Sequence, residues 1–202
     1  MSILGRVHGG YIHTRRVRIL SAHIAPLIPL GAKVLDVGCG DGRLAARLLE
    51  LRPDLSIEGV DVLVRKDPAI PVRPFDGEHL PYAASSVDIV LMVDVLHHTD
   101  DPSVLLREAA RVARSGVLLK DHLREGVAAR LTLRFMDWIG NARHNVRLPY
   151  NYWSRPQWSA AFEQMGLAVK RWQASLHLYP APASWLFDRS LHFVALLDVA
   201  GA

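Results

Sequence analysis

A glycine-rich segment carries the clearest chemical signal in the sequence. Gly38, Gly40 and Gly42 alternate at residues 36–42, directly after a short run of β-branched and apolar residues. Glycines at this spacing let the backbone turn tightly and let a ligand approach without interference from a Cβ atom. A plain strand-to-helix turn is the alternative, but three glycines within five residues favour a ligand-binding loop.

The residues around this glycine loop indicate a ligand that carries positive charge. A dinucleotide fingerprint needs G-x-G-x-x-G, with a helix N-terminus facing a pyrophosphate, but Arg43 occupies the position of the third glycine. The Asp36 carboxylate would repel a pyrophosphate and attract a sulfonium or ammonium group. Asp61, about twenty residues further on, is placed to accept hydrogen bonds from ribose hydroxyls. A nicotinamide-dependent oxidoreductase stays as a less favoured alternative.

Alternating strands and helices must position these residues. The hydrophobic patterns predict strands at 34–37, 57–61, 72–75, 87–93, 116–120, 168–172 and 192–199. They predict helices at 1–30, 43–51, 124–140 and from 155 to Gly166, with a further helix opening at Pro102 behind an Asp101 cap. This rhythm favours a parallel sheet covered on both faces, whose ligands bind beyond the carboxyl ends of the strands.

Length and composition limit the class of protein. The chain has 202 residues, of which 50% are hydrophobic and 22% charged, as in one ordinary globular domain. The single cysteine, Cys39, excludes an internal disulfide framework and a multi-cysteine zinc site, and it suits a reducing compartment. We find no membrane span and no signal peptide, so we expect a cytoplasmic protein. The net charge of +4 does not demand a nucleic-acid partner.

Four motifs in order resemble the class I S-adenosylmethionine-dependent methyltransferases, in particular their small-molecule, type 11-like members. The resembling segments are Val34-Leu35-Asp36-Val37-Gly38-Cys39-Gly40-Asp41-Gly42, Gly59-Val60-Asp61, Asp76-Gly77 with Ser86-Val87-Asp88-Ile89-Val90, and Val95-Leu96-His97-His98-Thr99-Asp100-Asp101-Pro102. The resemblance covers residues 31–120. It implies a Rossmann-like fold with a seven-stranded, mostly parallel sheet flanked by helices, an antiparallel last strand and a small helical lid insertion.

The domain organisation that we expect is a single methyltransferase domain over residues 1–202. It would comprise an N-terminal helix at 1–30, a cofactor-binding core at 31–122, a substrate lid at 123–153, and a C-terminal helix and strands at 154–202. The lid is expected where the alternation of strand and helix breaks after His122.

The resemblance also implies residue roles toward S-adenosylmethionine. Gly38, Cys39 and Gly40 would contact its amino-acid part through the backbone, and Asp36 would lie near its ammonium group. Asp61 would hold the ribose hydroxyls. The remaining implied contacts are Val62 against the adenine, Asp76 and Gly77 to the adenine edge, and Val93 and Asp94 where the cofactor meets the substrate. Cys39 is then a small residue at a backbone contact and not a nucleophile.

A general base is needed only if the acceptor must lose a proton. The candidates near the strand ends are Asp94, His97, His98, Asp121 and His122, and His98 is the first choice because it follows the fourth strand. A purely structural role for His98 in its loop is the alternative. We expect no metal site, because adjacent histidines on a strand or loop point apart.

The lid insertion is where we expect the substrate to be recognised. The candidate substrate-binding residues are His122, Phe135, Trp138, Arg143, His144, Tyr150 and Tyr152. Apolar walls with a few cationic groups suit a hydrophobic or aromatic molecule that bears an acid. Alternatively, the aromatic residues form the core of the lid and the cations are solvated. Methyl transfer to oxygen, nitrogen or carbon, a cofactor-binding protein without transferase activity, and RNA methylation all stay open, with RNA ranked low.

Overall fold

A seven-stranded sheet organises the fold, and helices cover both of its faces. The computed structural model describes residues 3–141 and 149–199. Within these ranges the strands are β1 (Lys33–Val37), β2 (Ser56–Asp61), β3 (Val72–Pro74), β4 (Val87–Val93), β5 (Ala113–His122), β6 (Leu167–Gln173) and β7 (His192–Val199). The helices are α1 (Ile3–Ile24), α2 (Arg43–Leu51), α3 (Pro102–Val112), α4 (Ala129–Asn141), α5 (Arg155–Gln164) and α6 (Ser184–Phe187).

The strand order is β3-β2-β1-β4-β5-β7-β6. The first five strands pair in parallel, and β7 runs antiparallel to both β5 and β6. The order reverses between β1 and β4, which is the point where sheets of this type open a crevice at the strand ends. The predicted fold, a mostly parallel sheet with an antiparallel last strand, is therefore confirmed.

Two apolar cores lie on opposite faces of the sheet. The first packs α3 and α5 against the strands through Leu105, Leu106, Trp158 and Phe162. The second packs α1 and α2 against the other face, with Ile24 and Leu48 fully buried. Burial from both sides explains the almost continuous apolar sequence of β4, as expected for a parallel sheet covered by helices.

Several element boundaries differ from the predicted ones. α1 ends at Ile24, because Pro26 lies in the 3₁₀ turn that follows, and α4 begins only at Ala129. β5 continues through Lys120 to His122, since these polar residues keep pairing with β7, where His122 lies opposite His192. The sheet therefore carries charged side chains further toward its carboxyl end than the sequence pattern indicates. None of the described helices combines the length and apolar character that a membrane crossing needs.

The Asp101 cap gives a stability prediction. Its side chain accepts a hydrogen bond of 2.9 Å from the Ser103 N–H at the start of α3. Asp101→Ala should lower the free energy of unfolding by about 1 kcal/mol, because the amide loses its acceptor. Urea denaturation measures the change. Asp101→Asn is the matched control and should unfold like the wild type, and an equal loss in both variants would contradict a capping role.

Candidate functional site

The candidate site lies along one edge of the sheet, where the parallel strands end. The segments that follow β1, β2, β4 and β5 all reach this edge, as the strand registers require. Beyond them, two regions can be distinguished. The glycine loop and Asp61 form one, and a buried polar cluster around His97 and His122 forms the other.

The glycine loop turns through left-handed backbone conformations. Gly38 and Gly40 have φ angles of 67° and 60°. A Cβ atom at residue 38 would lie 2.6 Å from a methyl group of Val95, so only glycine fits there. The Gly38 N–H donates to the Val60 carbonyl at 2.8 Å, which fixes the loop at the end of β2. Gly38 thus packs against Val95, whereas a Cβ atom at Gly40 would meet nothing within 4 Å, so the loop borders open space there.

Asp61 connects the loop to the end of β2. One oxygen of its buried carboxylate accepts the Gly40 N–H at 2.8 Å, and the other accepts the Leu63 N–H at the same distance. Because each carboxylate oxygen has two lone pairs, Asp61 keeps accepting capacity for the hydroxyls of a ligand.

Asp36 is the second buried acid at the loop. Burial, followed by repulsion from Asp61, raises the pKa of its carboxyl group to about 7. Burial, with Asp36 adding to it, also raises the pKa of the Cys39 thiol, so the thiolate is disfavoured. Cys39 lacks the depressed pKa of a nucleophilic cysteine, and the loop presents an acid whose ionised form a nearby cation would stabilise.

The remaining residues predicted to contact a cofactor lie at the rim. Asp76 is exposed, and hydrogen bonds from the backbone N–H groups of His79 and Glu78 lower its pKa to about 2. Val62 is 64% exposed. Gly77 has a φ angle of 93°, and a Cβ atom there would lie 3.2 Å from the Val62 side chain. The structure therefore brings Val62 and Gly77 together at an open surface beside Asp61.

Asp94 follows β4, which ends at Val93, and adopts a left-handed conformation with φ of 58°. Its carboxylate pairs with two cations, the Arg16 guanidinium from α1 and the Lys120 ammonium from β5. The Lys120 side chain is fully buried, and this burial, with the charge of Arg16, lowers its pKa well below the ordinary value. The Asp94 carboxylate is thus already paired with two cationic side chains of the protein.

A buried hydrogen-bond cluster continues from Lys120 and connects β4, β5 and β7. The Nδ1 atom of His97 lies 2.6 Å from Asp121, and the Nδ1 atom of His122 lies 3.1 Å from that of His192. Asp121 also accepts the backbone N–H groups of Leu96 and His122, at 3.1 and 2.7 Å. Although burial alone would raise the pKa of Asp121, His97 and these amides lower it to about 2.

Asp137 reaches the same cluster from α4. Its carboxylate lies 3.5 Å from His97 Nε2 and 3.4 Å from His122 Nε2, and it accepts a hydrogen bond from the Tyr152 hydroxyl. Burial works against its charge, but His122 and His97 hold the pKa of Asp137 below its usual range. Burial, followed by the charge of His97, also lowers the pKa of His122 to about 4. The cluster therefore faces the site with carboxylates and a neutral His122 imidazole.

His98 stands beside this cluster. Its ring centroid lies 4.1 Å from that of His97. Burial and the charge of His97 lower its pKa to about 4, so the ring is neutral near pH 7. Its Nδ1 atom is buried and has no hydrogen-bond partner among the described residues.

The residues predicted to bind substrate separate into three groups. His122 and Tyr152 join the buried cluster, and Tyr150 packs near them under the Arg134 guanidinium, 4.8 Å from its ring. Phe135 and Trp138 lie on the outer side of α4 and are 48% and 60% exposed. Arg143 and His144 lie outside the described residues.

Sequence reasoning missed three members of the cluster: Arg16, Asp137 and His192. Arg16 belongs to the N-terminal helix α1 and pairs with Asp94. Asp137 lies four residues after the buried Leu133, on the inward face of α4. A carboxylate on the inward face of a helix was the feature of the sequence that could have identified Asp137. His192 opens an apolar strand and shows no comparable signal.

Two cavities are described near these elements. One of about 200 Å³ is lined by Arg124, Arg130, Tyr150, Asn151, Tyr152, Trp153 and Gln157. It adjoins the cluster through Tyr152 and suits a polar group of a bound molecule. The other, of about 390 Å³, lies between α1 and β6 and includes no residue of the glycine loop.

Comparison with known proteins places these features in a family. A family model described as "Methyltransferase domain" matches residues 11–171. The 27-O-demethylrifamycin SV methyltransferase of Amycolatopsis mediterranei is 30% identical over 112 residues, which cover 48% of this chain and 41% of the relative. The 2-methyl-6-phytyl-1,4-hydroquinone methyltransferase of Synechocystis is 28% identical over 149 residues, covering 65% and 42%. The matches thus span about two fifths of the length of these curated relatives.

A solved structure shows the same architecture. The putative methyltransferase of Haloferax volcanii, determined in complex with the Trm112 methyltransferase activator, superposes with a TM-score of 0.69 and 18% identity. The match covers 94% of both chains. At this identity the likeness supports the fold alone.

The raised pKa of Asp36 gives a pH prediction. Its carboxyl group titrates near pH 7 in the folded chain and near 3.8 when unfolded. Between these values the folded state holds the proton more tightly, so the free energy of unfolding should fall as pH rises. The slope from this one group is at most about 1.4 kcal/mol per pH unit.

Urea denaturation between pH 4 and 7 measures this slope against Asp36→Asn, which should lack the Asp36 contribution. Asp198→Asn, at an exposed strand position, is the control and should keep the wild-type slope. Identical slopes in the wild type and Asp36→Asn would contradict the assignment.

Proposed function

Because the chain belongs to the methyltransferase domain family, we propose that it transfers a methyl group from S-adenosylmethionine to a small-molecule acceptor. The observation that carries this proposal is the arrangement at the end of β1, where a glycine cradle is tied to the buried Asp61 carboxylate and lies beside Asp36. A Cβ atom at Gly40 would meet nothing within 4 Å, so the loop borders open space that a ligand can approach closely. Two acids beside it fit a ligand that is cationic and carries ribose hydroxyls.

We propose contacts to the cofactor for residues of the loop, of the strand ends beside it and of the rim. The backbone at Gly38, Cys39 and Gly40 would hold the amino-acid part, and ionised Asp36 would lie near the ammonium group. Asp61 would accept the ribose hydroxyls. At the rim, Val62 would pack against the adenine, and Asp76 with Gly77 would contact its edge. Val93 and Asp94 would line the cofactor where it meets the acceptor.

In this reaction the protein mainly orients the reactants and excludes water. When bound, S-adenosylmethionine supplies an activated methyl group for in-line displacement. Holding the acceptor in line can contribute about 7–11 kcal/mol without any catalytic side chain. The buried cluster beside the loop offers fixed polar groups for that orientation, because Lys120, Asp121 and His97 are each almost fully enclosed.

We propose that the acceptor is hydrophobic or aromatic. The two relatives described above are named for a rifamycin and a phytyl hydroquinone. The aromatic side chains Tyr150 and Tyr152, with Arg124 and Arg130, line the 200 Å³ cavity next to the cluster. This lining supports an acceptor with an acidic group. Phe135 and Trp138 support the same class only if the acceptor reaches the outer side of α4.

A second candidate function is binding of S-adenosylmethionine or its demethylated product without transfer. Incubation with the methyl-labelled cofactor and a metabolite extract separates the two, because only an enzyme passes label to a small molecule. Label transferred to RNA instead would support the RNA methyltransferase alternative, which the modest net charge of +4 does not favour. A cytoplasmic location stays a prediction from the single cysteine.

Asp61 gives the prediction for cofactor binding. Asp61→Ala should weaken S-adenosylhomocysteine binding by about 1–3 kcal/mol, roughly 5- to 150-fold, because the ribose hydroxyls lose a buried acceptor. Isothermal titration calorimetry measures the affinity, with Asp198→Ala as a surface control. Unchanged affinity in a folded Asp61→Ala variant would place the ribose elsewhere.

His98 gives the prediction for catalysis. We propose that its neutral ring accepts the proton of the acceptor, as its unpartnered, buried Nδ1 atom allows. His98→Ala should lower turnover by about 10²-fold and leave S-adenosylhomocysteine affinity unchanged. Turnover is measured with the acceptor identified by label transfer, and the variant His177→Ala, at an exposed histidine, serves as control. Full activity in His98→Ala would reduce His98 to a structural residue of its loop.

A further inference from the structure

We propose that His97, His122 and Asp137 form a binding site for one divalent transition-metal ion. These residues come from the segment after β4, the end of β5 and helix α4, so the fold alone brings them together. All three are buried, with side-chain exposures of 2%, 6% and 8%. From the sequence we expected no metal site, because the adjacent histidines point apart. His122 and Asp137 are distant from His97 in the chain, so sequence spacing does not reveal them as its partners.

The distances among the donor atoms match a metal site. Asp137 lies 3.5 Å from His97 Nε2 and 3.4 Å from His122 Nε2. These contacts are longer than the ~2.7–3.2 Å of good N–H···O hydrogen bonds. Tetrahedral ligands at about 2.1 Å from a zinc ion lie roughly 3.4 Å from one another. Each histidine Nε2 is therefore spaced from one Asp137 oxygen, Oδ2 for His97 and Oδ1 for His122, as two ligands of one ion are.

The surrounding hydrogen bonds direct the ring of His97 toward this point. Asp121 lies 2.6 Å from His97 Nδ1, and the other ring nitrogen, Nε2, lies on the side of Asp137. The backbone N–H groups of Leu96 and His122 hold Asp121 in place. A carboxylate behind a ligating histidine and a hydrogen-bonded ligating carboxylate are typical of metal sites, and the Tyr152 hydroxyl supplies the second feature at Asp137.

Asp94 is a further carboxylate near this point. Its Oδ1 atom lies 3.6 Å from His122 Nε2, and donor atoms of Asp94, His97 and His122 all fall within 4.8 Å of one another. The carboxylate already pairs with Arg16 and Lys120, so we assign it beside the ion and not to it. Three protein ligands with one open position are typical of catalytic zinc sites.

The ligand set selects the kind of ion. Two imidazoles and one carboxylate suit zinc, iron or another first-row transition ion, whereas magnesium and calcium prefer oxygen ligands. Its role rests on the proposed function: an ion here would hold an oxygen of the acceptor at the strand ends, next to the glycine loop. This would favour hydroxyl-bearing acceptors.

Calorimetric titration of the full chain tests the site. The chain is first treated with EDTA, dialysed, and then titrated with Zn²⁺ and, separately, with Mg²⁺. We expect one Zn²⁺ ion per chain and at least 100-fold weaker binding of Mg²⁺. His97→Gln and His122→Gln should each weaken Zn²⁺ binding at least tenfold. His177→Gln, which makes the same substitution at an exposed histidine, is the matched control and should bind Zn²⁺ like the wild type.

Circular dichroism shows whether each variant is folded, and S-adenosylhomocysteine binding is measured separately. If a histidine variant fails to fold, Asp137→Asn takes its place with the same expected loss. Absence of a one-to-one Zn²⁺ site, or wild-type Zn²⁺ affinity in the folded variants, would overturn the proposal. Zn²⁺ binding without S-adenosylhomocysteine binding would overturn the proposed function and leave the metal site standing, so the two failures are distinguishable.

Discussion

The hydrogen bond from the Gly40 N–H to the Asp61 carboxylate is the contact on which the proposed cofactor site depends. It joins the loop after β1 to the end of β2 and keeps the loop open in left-handed conformations that only glycine adopts without strain. It also brings Asp61 close enough to Asp36 to oppose the ionisation of that carboxyl group. A cationic ligand would offset this repulsion and stabilise the ionised carboxyl group of Asp36. The two neighbouring acids therefore favour a cationic ligand.

The buried polar cluster poses a different constraint. Buried charges cost free energy unless they are paired or bind an ion. Lys120 pairs with Asp94, and Asp121 is satisfied by His97 and two backbone amides. Asp137 accepts a hydrogen bond from the Tyr152 hydroxyl and lies 3.5 and 3.4 Å from His97 and His122, where we propose that an ion binds. The cluster lies at the strand ends beside the glycine loop, where polar groups would act on an acceptor.

Most of the fold could be predicted because its signals are local. The limits of α2 and β4, the Asp101 cap and the glycine loop follow from hydrophobic spacing and turn chemistry within a few residues. The cluster could not be predicted in this way, because Arg16, His97, His122, Asp137 and His192 come from five separate segments. Their contacts depend on strand register and on the path of α4, which a single sequence does not specify. The polar residues at the end of β5 were the clearest indication of this cluster within a single segment of the sequence.

A crystal structure of the chain with S-adenosylhomocysteine would show directly whether the cofactor binds at the glycine loop and Asp61. We expect the ribose hydroxyls within hydrogen-bond distance of the Asp61 carboxylate and the amino-acid part along the backbone of residues 38–40. A closed glycine loop, or the nucleoside bound away from the ends of β1 and β2, would contradict it.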